Sequence, residues 1–175
     1  MPPGLGVIIR AAAWEEYLVV KMKIEKYNER YCNEIADLFC KAVHAIDPTL
    51  YTEEQKKAWA PIPPDYGFWQ QRLEIKRPFL GMVNEQVAGF VELESDGHID
   101  CLYVHPNFQR LGFGSNLISH VIRLAKEGGL RLLYVEASKA ACPLFNQMGF
   151  LQIQENLIER RGVKLTNYTM ELDLS

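Results

Sequence analysis

The stretch from His98 to Ser115, HIDCLYVHPNFQRLGFGS, limits what this chain can fold into more than any other. Ile99, Asp100, Cys101, Leu102, Tyr103 and Val104 are rich in the β-branched and aromatic types that suit a strand. His105-Pro106-Asn107 stops that strand, because proline has no N–H for a ladder and disfavours helix in the residue before it. Gln109-Arg110-Leu111-Gly112-Phe113-Gly114-Ser115 then runs straight into an apolar-periodic segment from Asn116 to Ala125. A glycine-bearing turn between strand and helix presents bare N–H groups at the positive end of the helix dipole, which suits a phosphate.

Two familiar phosphate loops do not fit. A Walker A loop needs G-x-x-x-x-G-K-[ST], and no such lysine is present. A dinucleotide fingerprint needs a third glycine three residues after Gly114, where the chain has Leu117. What remains is [QR]-x-x-G-x-[GA] behind a strand ending in L-Y-V-x-P. The short pattern alone is weak; its strand and helix context makes it specific.

With 175 residues the chain is one domain in size and can bury a real core, and 48% hydrophobic with 23% charged residues are globular values. A formal net charge of −3 argues against generic nucleic-acid binding, which needs a basic surface, and is compatible with a cationic amine partner. Cys32, Cys40, Cys101 and Cys142 show no C-x-x-C spacing and no histidines at zinc-finger distance, so reduced, mostly buried thiols and no metal are expected. No apolar run approaches the ~18 residues of a membrane span. Arg10, Glu15 and Glu16 interrupt the N-terminal apolar stretch, so a cytoplasmic protein without a membrane partner is expected.

Along the chain, Leu18, Val20, Met22 and Ile24 alternate, carrying a first strand back as far as Tyr17. A self-sufficient domain starts at Met22, which makes residues 1–21 an extension and residues 22–175 the domain. Tyr31, Ile35, Leu38, Phe39 and Ala42 recur at helical spacing behind Asn28 as a cap. Thr52 and Gln55 have capping-box spacing for a second helix carrying Trp59, and a short third helix runs from about Tyr66 to Leu73. Tyr51, Trp59, Tyr66, Phe68 and Trp69 either cover a sheet face or line an acceptor pocket, with Trp59 the first choice for the pocket. Residues 78–83 and 86–93 flank Asn84-Glu85 as a hairpin, and Ser95-Asp96-Gly97 turns into the strand before the glycine loop. Gly128-Gly129 ends the helix after the loop. The nearly continuous apolar run Leu130–Ala137 suits a central strand, parallel to the strand before the loop. A helix from about Ala141 to Met148 and a last antiparallel pair, 150–156 and 164–173, complete an α/β domain with a mixed, mostly antiparallel sheet and one parallel strand pair.

The loop and this element order resemble the GCN5-related N-acetyltransferase (GNAT) family over roughly Met22 to Leu174. Phe145-Asn146-Gln147-Met148-Gly149-Phe150 is similar to the family's aromatic-x-x-x-Gly-Phe helix end. Tyr51 to Ala60 and Arg161 to Met170 look like the Y-x-x-x-Q-x-x-A-W-A and R-G-x-x-x-x-N-[YF]-x-M segments of one bacterial subgroup. The resemblance implies acetyl-CoA as acyl donor and direct transfer to a small-molecule or protein amine by a monomer or homodimer. It also implies that the backbones of Leu102, Tyr103 and Val104 hold the pantetheine arm, and that those of Gln109, Arg110, Leu111, Gly112, Phe113, Gly114 and Ser115 hold the pyrophosphate, Arg110 adding charge. An N–H of the strand ending at Val104 would face the oxyanion. At the donor site Phe145 stands where the family's tyrosine acid is usual, and Ser138 where an asparagine is. A base on the strand before the loop falls to Asp100 first and His98 second, with Glu136 as a further base and Tyr168 as a replacement acid. A catalytically silent CoA-binding or interaction module is the rival, supported by Phe145.

Overall fold

The computed structural model describes residues 7–9 and 18–175. Most of the expected extension, residues 1–21, lies outside them. β1 (Val7–Ile9) and β2 (Leu18–Val20) pair antiparallel as a sheet of their own, so the alternating run from Leu18 to Ile24 is not one strand. β3 (Lys23–Lys26) instead pairs with β4 (Phe79–Val83), and Met22 fills the space that Gly81 leaves, since a Cβ there would meet the Met22 sulfur at 2.5 Å.

Asn28 caps a short 3₁₀ turn through its side chain, and α1 (Cys32–His44) follows it. α2 (Glu53–Trp59) opens with the expected capping box, Thr52 and Gln55 satisfying each other's backbone N–H. α3 (Tyr66–Lys76) is capped by Asp65 and runs a turn longer than its sequence pattern indicates. β5 (Gln86–Leu93) and β6 (Ile99–Val104) complete a four-stranded antiparallel sheet in the order β3-β4-β5-β6. α4 (Phe113–Glu127), β7 (Leu132–Ser138), α5 (Cys142–Gln147), β8 (Leu151–Arg160) and β9 (Val163–Asp173) follow. β8 and β9 are longer than the alternation suggests, because Arg161 and Gly162, both at positive φ, form a two-residue turn that keeps the strands paired in register back to Gln154, beyond which a bulge shifts it.

The second sheet has the order β7-β9-β8. The expected parallel pair of β6 and β7 is not a ladder: the strands meet at one parallel bridge, His98 with Tyr134, and belong to different sheets. β7 is therefore not a central strand covered on both faces. Leu133, Val135 and Ala137 are buried, while Leu132, Tyr134, Glu136 and Ser138 keep exposed surface. Gly97 makes the junction possible; it sits at φ 98°, its carbonyl accepts from the Tyr134 N–H at 3.1 Å, and the Leu132 carbonyl lies 2.3 Å from where a Cβ would stand.

One core lies between α4, α5 and the sheets, around Leu117, Ile118, Val121, Val135, Phe145 and Met170. The opposite face of the first sheet is covered by α1 and α3, around Ile35, Leu38, Trp69, Leu73, Leu80 and Phe90. Gly89 on β5 lets α4 approach, since a Cβ there would lie 2.9 Å from the Tyr103 carbonyl oxygen and 3.1 Å from Leu117. A backbone atom cannot step aside as a side-chain end can. Gly89→Ala is expected to cost about 1–3 kcal/mol of stability in urea unfolding. The described cysteines are all free; Cys32 and Cys40 are buried as expected, whereas Cys101 and Cys142 keep part of their surface. Among the described residues no helix is long and apolar enough to cross a membrane, and no cluster of His, Cys, Asp and Glu is arranged to hold a metal.

Candidate active site

β6 and β7 touch at the His98 end and part toward the glycine loop, so each keeps an open edge facing the other. The His105 N–H donates to the Ala88 carbonyl at 2.8 Å, and Tyr103 lies opposite Phe90. In an antiparallel ladder this alternation turns Tyr103 toward β5 and leaves the N–H and C=O of Leu102 and Val104 on the open edge. On β7 the Tyr134 N–H points at Gly97, so Glu136 and Ser138 share that edge by the same period. The wedge extends about 20 Å from His98 to Val104 at the ordinary strand rise.

The loop closes the wide end. Gln109 donates its side-chain amide to the Val104 carbonyl at 3.0 Å, pinning the turn to the strand. Arg110 and Gly112 both have positive φ, 60° and 80°, and no side chain caps α4. The amides of Phe113, Gly114 and Ser115 are therefore first-turn donors without an intrahelical acceptor, at the positive end of a long helix. Gly112 serves backbone conformation. Gly114 serves packing, because a Cβ would stand 2.7 Å from Leu144 of α5. The Phe113 ring turns inward against Phe108 and contributes only its backbone to the loop. Phe145 is 1% exposed and packs edge-on against Phe150 at 5.1 Å, so the residue in the usual acid position is core. Ser138 bonds the Ala141 N–H and starts the turn into α5.

The narrow end is charged. A register shift lets Cys101 face Glu92 and Ile99 face Leu93, so Asp100 is the extra residue of a β-bulge. The bulge turns Asp100 toward α3, where Arg72 and Lys76 reach it at 2.8 and 2.7 Å. Arg72 also holds Glu92 at 2.5 Å, and Lys76 also bonds Glu94. His98 stacks on Tyr134 and places its Nδ1 2.8 Å from Glu94 and its Nε2 2.6 Å from Glu136. Glu92, Arg72, Asp100, Lys76, Glu94, His98 and Glu136 thus form one chain of ionic contacts ending on the wedge.

These contacts set the protonation states. Burial alone would raise the Asp100 pKa, but the two cations outweigh it and the carboxyl titrates below its ordinary range. That makes Asp100 a weak base. Burial dominates at Glu92 and raises its pKa despite Arg72. At His98 burial disfavours the charge, yet the hydrogen bonds to Glu94 and Glu136 win and the pKa is raised. Glu136, with 42% of its side chain exposed, carries the most open carboxylate of this chain of contacts. The sequence ranked it behind Asp100 because spacing shows neither the bulge nor the cations of α3. The structure brings His98, Asp100 and Glu136 together. Tyr168 lies apart from them, on the side of β9 facing the α4 and α5 core, and burial raises its pKa.

Trp59 stands 6.4 Å from Tyr103 and 5.4 Å from Tyr51. The Tyr51 hydroxyl donates to the Thr166 carbonyl at 2.6 Å and accepts from the Lys139 N–H at 2.9 Å, locking α2 onto the second sheet beside the wedge.

A family model described as an acetyltransferase (GNAT) domain matches residues 49–172. The uncharacterized N-acetyltransferase YafP of Escherichia coli K12 is 30% identical over 149 residues, covering 85% of this chain and 94% of that one. A GCN5-related N-acetyltransferase from Rhodopseudomonas palustris superposes with a TM-score of 0.83 at 29% identity, over 91% of this chain and all of that one. The fold is also that of yncA from Salmonella typhimurium, solved with its cofactor acetyl-CoA, at a TM-score of 0.67 and 21% identity over 88% of this chain and 94% of that one. A wedge between two half-sheets, a glycine loop at its wide end and these matches together place the chain in the GNAT acetyltransferase family.

Proposed function

We propose that this protein transfers an acetyl group from acetyl-CoA directly to an amine, within a complex of enzyme, donor and acceptor. The observation that carries the reading is the open edge of β6, whose Leu102 and Val104 amides lead in line to the uncapped start of α4. An extended amide-bearing chain with a pyrophosphate at one end fits both features. Residues 22–175 form the acetyltransferase domain in this reading, with residues 1–21 as an extension.

Bound acetyl-CoA supplies an activated thioester carbonyl. The N–H groups of Leu102 and Val104 are the strand donors available to negative charge developing on its oxygen. An attacking amine must be neutral, so a group of this chain must take a proton. Glu136 has the accessible oxygens for that, directly or through one water, and His98 behind it shares the charge with Glu94. Asp100 then holds Lys76 and Arg72 in place and is a positioning residue. A departing thiolate, with a thiol pKa near ~8.5, needs little help from an acid, which is consistent with Phe145 in the usual tyrosine position. Tyr168, whose pKa burial raises, retains its proton and offers a hydroxyl donor on this side of β9.

The test is thermal unfolding with ligands. At a hundredfold excess over Kd, acetyl-CoA should stabilise the protein by about 2.7 kcal/mol, while ATP and NAD leave Tm unchanged. An unchanged Tm with acetyl-CoA would overturn the reading. Binding without thiol release over a broad amine panel would favour the silent-module alternative.

A further inference from the structure

The wedge is open to a second molecule from one side. On the other, Leu102, Val104, Ala137, Leu144 and Phe145 belong to or pack against the core under α4 and α5. The available side is the one covered by α1, α2 and α3, and there the rings next to the open edge are not fully packed away. Tyr103, between the two outward-facing residues of β6, keeps part of its surface. Phe39 meets it edge-on at 4.8 Å and Trp59 at 6.4 Å, and both of these are also partly exposed. Neighbouring rings of the same cluster, Tyr51, Trp69 and Phe90, are 0–5% exposed. The cluster therefore has a buried body and a shelf of three partly exposed rings at the donor edge. A core filler would not need its outermost rings aligned with that edge.

The far end of the shelf is acidic. Asp100 and Glu136 retain 27% and 42% of their side-chain surface. Of its four carboxylates, Glu92, Glu94 and Asp100 each contact a permanent cation, Arg72 or Lys76, whereas Glu136 is bridged by His98 alone among the described residues. An arriving ammonium is attracted to that carboxylate, and aromatic faces add to that attraction.

We propose that the acceptor is a primary amine on a short alkyl arm attached to an aromatic body, which lies on Phe39, Trp59 and Tyr103 and points its nitrogen at Glu136. The proposal rests on the acetyltransfer reading above. In balance, the amine nitrogen forms the new C–N bond, the thioester C–S bond breaks, the ammonium's first proton goes to solvent before attack, and the second goes to Glu136.

The test measures thiol release from acetyl-CoA with phenethylamine and tryptamine against spermidine, free lysine and a peptide with a free N-terminus. The aralkylamines should be used with kcat/KM at least ~10-fold above the others, since a flat hydrophobic body is worth about that factor in a fitted site. Trp59→Leu should raise KM for phenethylamine roughly tenfold with kcat and the acetyl-CoA KM within about twofold, and Trp59→Phe should restore most of the loss. Preference for spermidine, lysine or the peptide, with acetyl-CoA still raising Tm, overturns the acceptor class and leaves the acetyltransfer reading standing. Absence of any acetyl-CoA shift overturns both. An equal loss of KM for all amines in Trp59→Leu, unrecovered in Trp59→Phe, overturns the role of the shelf.

Discussion

Glu136→Gln is expected to lower kcat by about 10²–10³-fold while acetyl-CoA binding stays within about twofold, because an amide keeps the side chain's shape and loses its ability to take a proton. Glutamine can still accept a hydrogen bond from His98, so the junction of the two half-sheets should survive and Tm should move little. A variant with normal kcat and a lowered Tm would instead make Glu136 a brace. His98→Gln adds a second reading. In the native protein the raised His98 pKa shifts the rising limb of kcat against pH above the ordinary histidine range, since the Glu136–His98 couple must have room for a proton. His98→Gln should lose that limb as well as rate. The same shift has an opposite consequence for stability. The stabilisation from charged His98 is complete below its unfolded pKa and disappears as pH rises through the folded value. The bracing of the wedge therefore weakens over the pH range in which turnover increases.

Arg72→Ala should be the most damaging single change to the fold, at about 3–5 kcal/mol near neutral pH. The Glu92 side chain is 1% exposed and its carboxylate has Arg72 as its cation at 2.5 Å, so truncation leaves a charge in the interior. The deficit should be larger at pH 8 than at pH 5. A buried carboxyl with a raised folded pKa costs nothing while it is protonated, and the cost appears as pH rises past its unfolded value and grows through the folded one. Asp100 behaves in the opposite sense, because its folded pKa is lowered. Its stabilisation is present above the unfolded value and lost as pH falls through the folded one, and it keeps Lys76 when Arg72 is removed. The double variant Arg72→Met, Glu92→Met should recover to within about 1–2 kcal/mol of the native protein, since neither charge is then left behind. Urea unfolding at the two pH values measures all of this. A double variant as unstable as Arg72→Ala would show that packing of the arginine stem, and not the orphaned carboxylate, carries the cost.

The breaks and helix starts were legible because local rules govern them. Proline ends a strand, Thr52 and Gln55 close a capping box, and a left-handed residue before a helix is a glycine; each depends on neighbours a few positions apart. Even there, local rules do not show that Gly114 makes room for Leu144, thirty residues on. Leu130–Ala137 misled because a nearly continuous apolar run fits both a central strand and an edge strand with one buried face, and only the splay decides between them.

The sequence by itself determined the α/β class, the element order from β3 onward, the loop and hence the family. Those follow from hydrophobic period, breakers and backbone conformation, which are written in adjacent residues. Tertiary structure alone decided which carboxylate is held by cations and which keeps open oxygens. An extra residue opposite Glu92 and Leu93 turned Asp100 under two cations from α3, and the meeting of two half-sheets at Gly97 set Glu136 beside His98. A carboxylate's basicity depends on charges a few ångströms away in space, and those charges come from elements far apart along the chain.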